Sequence, residues 1–232
     1  RTGNGGDEGG SVDPPPGSGA GAELGEGAVC GDGARDFGGW ARTGTAALRN
    51  GFRTITTRDK KIEMPDDMKG VKFRVVNNPL NVATFKALGA NPTPMALSEV
   101  FTGLQQGTVD GQDNPVGNVK AFGFDKVQGN ITLSRHQWAG IMFLASDSLW
   151  QKSPDNVKEL FKETAIETQD WERKELDAVE ATYLDEMAKG GMVVTRLTPE
   201  QAAAFQKAME PVWAEYKDKI GADLIQSAVE AK

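Results

Sequence analysis

The side chains able to carry acid–base, nucleophilic or metal chemistry are few in this chain. It holds one histidine, His136, and one cysteine, Cys30. Any Ser/His or Cys/His arrangement would have to use His136, and a histidine-rich metal site has no ligands to draw on. A lone histidine is more often a hydrogen-bonded structural residue. Asp110-Gly111-Gln112-Asp113-Asn114-Pro115 sets oxygen-bearing side chains at alternate positions, as a calcium loop does, but Pro115 stands where that loop needs glycine. Recognition is therefore expected of this chain, not turnover, and an enzyme is the weaker alternative. Arg74 in Val71-Lys72-Phe73-Arg74-Val75 is the first recognition candidate. A guanidinium offers planar paired donors that match a carboxylate and stays charged when desolvated. By residue type alone it is more often a solvent-facing arginine on an edge strand. Asn114 can donate and accept toward a carboxylate oxygen or hydroxyl without repelling an anion. It also suits a purely structural turn before proline.

The elements that would carry these residues follow from periodicity. Val71 to Val75 alternates apolar and charged residues, as a half-buried strand does. Thr84 to Leu88 reads as a short helix closed by Gly89, and Ser98 as the cap of a helix presenting Val100, Phe101 and Leu104. Thr108-Val109-Asp110 reads as a brief strand leading into a turn through Gly111. Val116 to Phe122 reads as a helix, and Gly140 to Ala145 as a continuously apolar, buried strand. Strands alternating with helices predict an α/β unit. Ser153-Pro154 then opens a helical apolar pattern from Val157 to Met187, closed by Gly190-Gly191. About 36 residues at 1.5 Å per residue span roughly 54 Å, more than one small domain needs. Met192 to Leu197 reads as a strand, and Thr198-Pro199-Glu200-Gln201 as a capping box opening a helix that carries Phe205, Met209, Val212, Trp213 and Tyr216. Ala222 to Lys232 reads as a final short helix.

Composition sets the limits. The net charge is −7, which argues against nucleic acid as a partner. No apolar run approaches the 18 residues of a membrane span. Half of the 28 glycines fall in the first 40 residues, beside Pro14-Pro15-Pro16, so residues 1–44 read as low-complexity sequence that cannot bury a core.

Several motifs in order carry a resemblance. Met68 to Val75 is followed by Phe85 to Ala96, by Ser98-Glu99-Val100-Phe101, and by Gly107 to Pro115. Val127-Gln128, Leu133-Ser134-Arg135-His136 and the long helix continue it. From about residue 51 to 220 the chain resembles the solute-binding proteins of tripartite ATP-independent periplasmic (TRAP) transporters of the DctP family. The resemblance implies a periplasmic-binding-protein-like clamp of two domains. Its parts here would be a remnant of domain one and a crossover at 45–70, an α/β ligand-binding domain at 71–150, a long inter-domain helix at 151–191, and a strand with C-terminal helices packing on domain one at 192–232. The N-terminal portion that such proteins carry ahead of Gly51 would be replaced here by the low-complexity segment.

The resemblance further implies a periplasmic, monomeric carrier that takes no cofactor, binds a small carboxylate and hands it to TRAP permease subunits driven by an ion gradient. Arg74 would clamp the carboxylate and Asn114 would contact the ligand. Asn78 would bring backbone close to the ligand, and Leu97 would replace an aromatic pocket wall. Trp138 would stack on the ligand, and Lys60 would lie near a second cationic position. An incomplete segment of such a protein, with no binding of its own, is the alternative.

Overall fold

The computed structural model describes residues 42–230. The expectation for residues 1–41 lies outside them. Seven strands form one sheet: β1 (Arg42–Thr57), β2 (Lys72–Val75), β3 (Asn91–Pro94), β4 (Gly111–Pro115), β5 (Asn130–Leu133), β6 (Trp138–Ser146) and β7 (Val193–Arg196), in the order β3-β2-β4-β1-β5-β7, with β6 also on β1. Eight α-helices accompany them among the described residues: α1 (Pro79–Ala87), α2 (Leu97–Gln106), α3 (Val116–Ala121), α4 (Asp147–Lys152), α5 (Asp155–Lys189), α6 (Pro199–Ala208), α7 (Glu210–Ile220) and α8 (Ala222–Glu230).

β1 organises the sheet. At 16 residues it is too long to stay in one flat ladder, and it changes partners along its length. Arg42 to Phe52 pair with β6, with register breaks between Gly44 and Ala46 and between Arg49 and Gly51. Gly51 has φ 103°, a conformation open to glycine at no steric cost, and it marks the bend. Arg53 to Thr57 then run between β4 and β5, antiparallel to both. β2 lies parallel to β3 and β4, and β5 parallel to β7.

Two apolar clusters flank the sheet, giving the helix–sheet–helix layering of an α/β fold. On one side, Val100 and Leu104 of α2, Val116 and Val119 of α3 and Leu184 and Met187 of α5 pack with Ile131. On the other, Phe85 of α1, Leu88 at its C-cap and Phe205 of α6 pack with Ile55, Phe73 and Val75. Phe73 and Phe85 stack with ring centroids 4.3 Å apart.

The pattern from Val157 to Met187 is one unbroken helix, α5, of 35 residues. Arg49, Arg135 and Lys120 pair with Asp177, Glu180 and Glu186 of its C-terminal half. Along its N-terminal half Val157, Leu160, Ile166 and Trp171 are exposed, as are Ile141 and Leu144 of β6.

Several local expectations are corrected. Gly111 to Pro115 form a fully buried strand, not a turn, because β2 and β1 supply ladders on both sides. β6 is not buried throughout, since Ile141 is 50% exposed. Arg42 to Thr57 form the central strand where low-complexity sequence and a crossover were expected. Ser153 closes α4, and α5 takes Pro154 as its N-cap. The expected helix through Tyr216 divides at Met209, because Pro211 enters the first turn of α7 and cannot donate to a continuing ladder.

Candidate functional site

Strand polarity gathers the site. β2, β3 and β4 run parallel, so Arg74, Pro94 and Asn114 lie near one edge of the sheet, where the strands end. β5 ends there too, delivering Ser134 and His136. β1 runs the opposite way and brings Arg53 to the same edge, with Arg53 facing Pro115 across the ladder. In open α/β sheets this carboxyl edge is where ligands bind.

Arg74 is 3% exposed, which rules out the solvent-facing reading. Its Nε and Nη2 donate to the carbonyl oxygen of Met95 at 3.0 and 2.9 Å. One side of the fork is thereby fixed, and Nη1 makes no hydrogen bond among the described residues. Burial lowers the pKa of Arg74; Asp113 raises it and Arg53 lowers it further.

Asp113 is the anion of this edge, buried with 3% exposure. The Nε of Arg53 donates to Asp113 Oδ2, and Nη2 of Arg53 to the Asp113 carbonyl. His136 Nε2 lies 3.3 Å from the same carboxylate oxygen, while its Nδ1 lies 2.7 Å from Ser134 Oγ. The Phe85 ring stands edge-on to the imidazole at 5.5 Å. Arg135, between Ser134 and His136, has φ 45°, unusual for a side-chain-bearing residue, and the reversal turns His136 back onto the sheet. Burial alone would push the Asp113 carboxyl up, but the hydrogen bonds from His136 and Arg53 and their charges hold it at about 2. Two guanidiniums and a carboxylate thus share one desolvated corner, an arrangement that accepts a further negative charge.

Asn114 is buried in β4 beside this corner. Its backbone carbonyl accepts from Thr54 Oγ1 at 2.8 Å, and its side chain bonds Gln112 and Asn118. Leu97 begins α2 two residues after Met95 and is 40% exposed. Trp138 begins β6, 46% exposed, next to Gln137, whose carbonyl accepts from the Arg53 amide at 2.8 Å. These four candidates belong to one edge. Asn78 follows β2 but caps α1, its Oδ1 accepting from Leu80 N at 2.8 Å. Lys60 stands apart. It is exposed beyond the end of β1, at the opposite edge, beside Lys69 and Asp110.

Sequence reasoning missed Arg53, Asp113 and the Met95 carbonyl. The signal for Arg53 was a guanidinium between two strand-like stretches, but nothing local marked which end of β1 it would occupy. A concavity lies elsewhere, between α1 and α7, lined by Asn78, Val82, Lys86, Val212 and Tyr216. Among the described residues no cluster of His, Cys, Asp or Glu could hold a metal ion, and no helix is long and apolar enough to cross a membrane.

Known proteins share this architecture. The chain is 36% identical over 189 residues, 80% of its length, to the C4-dicarboxylate-binding periplasmic protein DctP of Shewanella loihica, and covers 55% of that protein. It superposes on a TRAP periplasmic solute-binding protein of Sulfurospirillum deleyianum with bound succinate at TM-score 0.73 and 36% identity, covering 82% of this chain and 63% of the other. A corresponding protein of a Polaromonas species, bound to D-erythronate, matches at TM-score 0.75 and 33% identity, over 82% and 63% of the two chains. The chain spans about half the length of the curated relatives it matches. The family model for bacterial extracellular solute-binding proteins, family 7 (DctP), matches residues 41–219, and the chain belongs to that family.

Proposed function

We propose that this chain supplies the anion-gripping part of a periplasmic solute-binding protein, which captures a small organic acid by its carboxylate and delivers it to a TRAP permease driven by an ion gradient. One observation carries the reading. Arg74 is a buried guanidinium pinned through Nε and Nη2 to the Met95 carbonyl, in a corner where Arg53 and Asp113 already balance one another. A desolvated arginine with donors left over binds a carboxylate more strongly than an exposed one. Arg74, Asn114, Leu97 and Trp138 would contact the ligand, and Arg53 takes the second cationic role expected of Lys60. Asn78 would contribute its backbone while its side chain caps α1. The relatives support the ligand class, since succinate and D-erythronate both carry carboxylates.

A specific observation favours a second reading, in which the chain is one side of a clamp and does not bind alone. An exposed apolar row runs along β6 and the N-terminal half of α5. The partition into domains follows from this reading, with α5 and the β1–β6 ribbon as the elements crossing to the other side.

Calorimetry against succinate and D-erythronate tests both readings, on the chain alone and joined to the preceding half of a relative. Micromolar affinity corresponds to about −8 kcal/mol. Removing one partner of a buried charge pair costs about 2–5 kcal/mol, so Arg74→Ala should weaken binding roughly 30- to several-thousand-fold. Arg74→Lys should also bind poorly, since a point charge cannot make paired hydrogen bonds. Binding by Arg74→Ala within threefold of wild type would remove Arg74 from the site.

A further inference from the structure

A chain of buried side-chain amides and hydroxyls leads away from Asn114, and every hydrogen bond in it runs the same way. It ends on a backbone carbonyl, Val127 O, which can only accept. Gln128 Nε2 donates to it at 3.0 Å, so Gln128 Oε1 faces onward. That oxygen accepts the Thr56 hydroxyl at 3.1 Å. A threonine has one hydroxyl hydrogen. Whether that hydrogen goes to Gln128 or to the more distant Gln112 carbonyl at 3.5 Å, Thr56 Oγ1 can only accept from the next side chain. Gln112 Nε2 supplies that bond at 2.9 Å, which turns Gln112 Oε1 toward Asn114 Nδ2, 2.5 Å away. Asn114 Oδ1 then accepts from Asn118 Nδ2 at 3.4 Å. Thr56 and Gln112 are 0% exposed, and Gln128 and Asn114 each 4%, so water cannot substitute for a missing partner.

We propose that Thr56, Gln112 and Gln128 are positioning residues that lock the amide polarity of Asn114, and so decide which ligand groups it can read. Turning the Asn114 amide over would set two oxygens against each other at Gln112. With the amide locked, Asn114 keeps one Nδ2 hydrogen beyond the bond to Gln112. It is therefore committed to donating toward an acceptor on the ligand, such as a carboxylate, keto or hydroxyl oxygen. A free asparagine would turn to suit either kind of group; this one does not. The sheet register makes the relay possible, because Thr56 faces Gln112 across β1 and β4, and Gln112 and Asn114 share one face of their strand. The proposal rests on the reading of Asn114 as a ligand contact.

The test uses the full chain and three variants. Thr56→Val is isosteric and removes the acceptor for Gln112. Thr56→Ser keeps the hydroxyl. Gln112→Met cuts the relay beside Asn114 with an apolar side chain of similar length. Side-chain amide NMR should show slow solvent exchange at Asn114 Nδ2 in the wild type and in Thr56→Ser. Exchange should be accelerated at least tenfold in Thr56→Val and Gln112→Met, with backbone protection of the sheet retained. Succinate affinity should follow the same order, lost about tenfold in Thr56→Val and restored in Thr56→Ser. If the wild-type chain alone does not bind succinate, it is one side of a clamp, as in the second reading, and the exchange measurement still judges the relay. Asn114 exchange in both Thr56→Val and Gln112→Met matching the wild type overturns the relay. So does wild-type succinate affinity in Thr56→Val, where the wild type binds.

Discussion

Replacing Asp113 by asparagine would remove a buried anion from a desolvated, cationic corner while keeping its shape. Arg53 donates to this carboxylate with its own side chain only 11% exposed, and His136, at 5%, approaches it from the other side. With Asp113 neutral, Arg53 and Arg74 face each other without compensation. Breaking a buried pair from one side costs about 3–5 kcal/mol, because the charge left behind has no solvent to return to. Such a loss is a large part of the roughly 5–15 kcal/mol that holds an ordinary domain together. The acid side supplies an independent check. The Asp113 carboxyl sits at about 2 against an ordinary 3.8. A lowered carboxyl contributes stability that is fully present above the unfolded value and is lost as pH falls through the folded one. The window is therefore pH 4 to 2, and the shift is worth about 2 kcal/mol at 1.36 kcal/mol per unit. The Asp113→Asn variant carries an amide that does not titrate, so it lacks this component of acid loss. Urea unfolding of both proteins should show a gap of about 3–5 kcal/mol at pH 7 that narrows by about 2 kcal/mol between pH 4 and pH 2. A gap below about 1 kcal/mol at pH 7, or one of equal size at both ends of the window, would refute the account of Asp113 as the charge that holds this edge together.

Gly111→Ala would set a Cβ 2.4 Å from the Thr56 carbonyl and 3.1 Å from the Phe73 ring, inside paired strands that cannot separate. A loss of about 3 kcal/mol or failure to fold is expected, read by urea denaturation, whereas Gly117→Ala, with nothing within 4 Å, should be neutral or gain up to about 1 kcal/mol. Thr198→Ala removes the oxygen that accepts from Gln201 N and half of the capping box of α6; about 1 kcal/mol should be lost, with a matching fall in the thermal midpoint.

Legible and hidden features of the sequence divide along a physical line. Features whose cause is local were legible. The proline and double glycine bounding α5 and the capping box at Thr198 each lie within a few residues of the element they define. β1 was hidden because its determinants are not in its own residues. Thr54, Thr56 and Thr57 are all buried, yet a run of threonines interrupted by Gly44 and Gly51 carries no apolar rhythm. The segment becomes a central strand through the two ladders it meets, from β4 and β5, about 60 and 75 residues further along the chain.

The same dependence on distant partners governs the second cationic residue of the proposed site. Lys60 and Arg53 are seven positions apart, and sequence alone gives no reason to prefer one over the other except the family's motif spacing. In an extended strand seven residues span roughly 23 Å at about 3.3 Å each, more than a small carboxylate could bridge. The choice between them is therefore a question of which way β1 runs. β1 is antiparallel to β4, so its early residue Arg53 meets Pro115 at the end of β4, and its late residue Thr57 meets Gly111 at the start. Lys60 is carried past that start, away from Arg74. Arg53 is carried to Asp113, which fixes its guanidinium against the strand. The polarity of one strand, which no local pattern encodes, decides which cation can share a ligand with Arg74. If that is right, Lys60→Ala should leave carboxylate affinity within twofold of wild type. Arg53→Met should weaken it by tenfold or more, as calorimetry would read on the same preparation that tests Arg74. A loss at Lys60 equal to that at Arg53 would mean that the ligand is held at the other edge of the sheet.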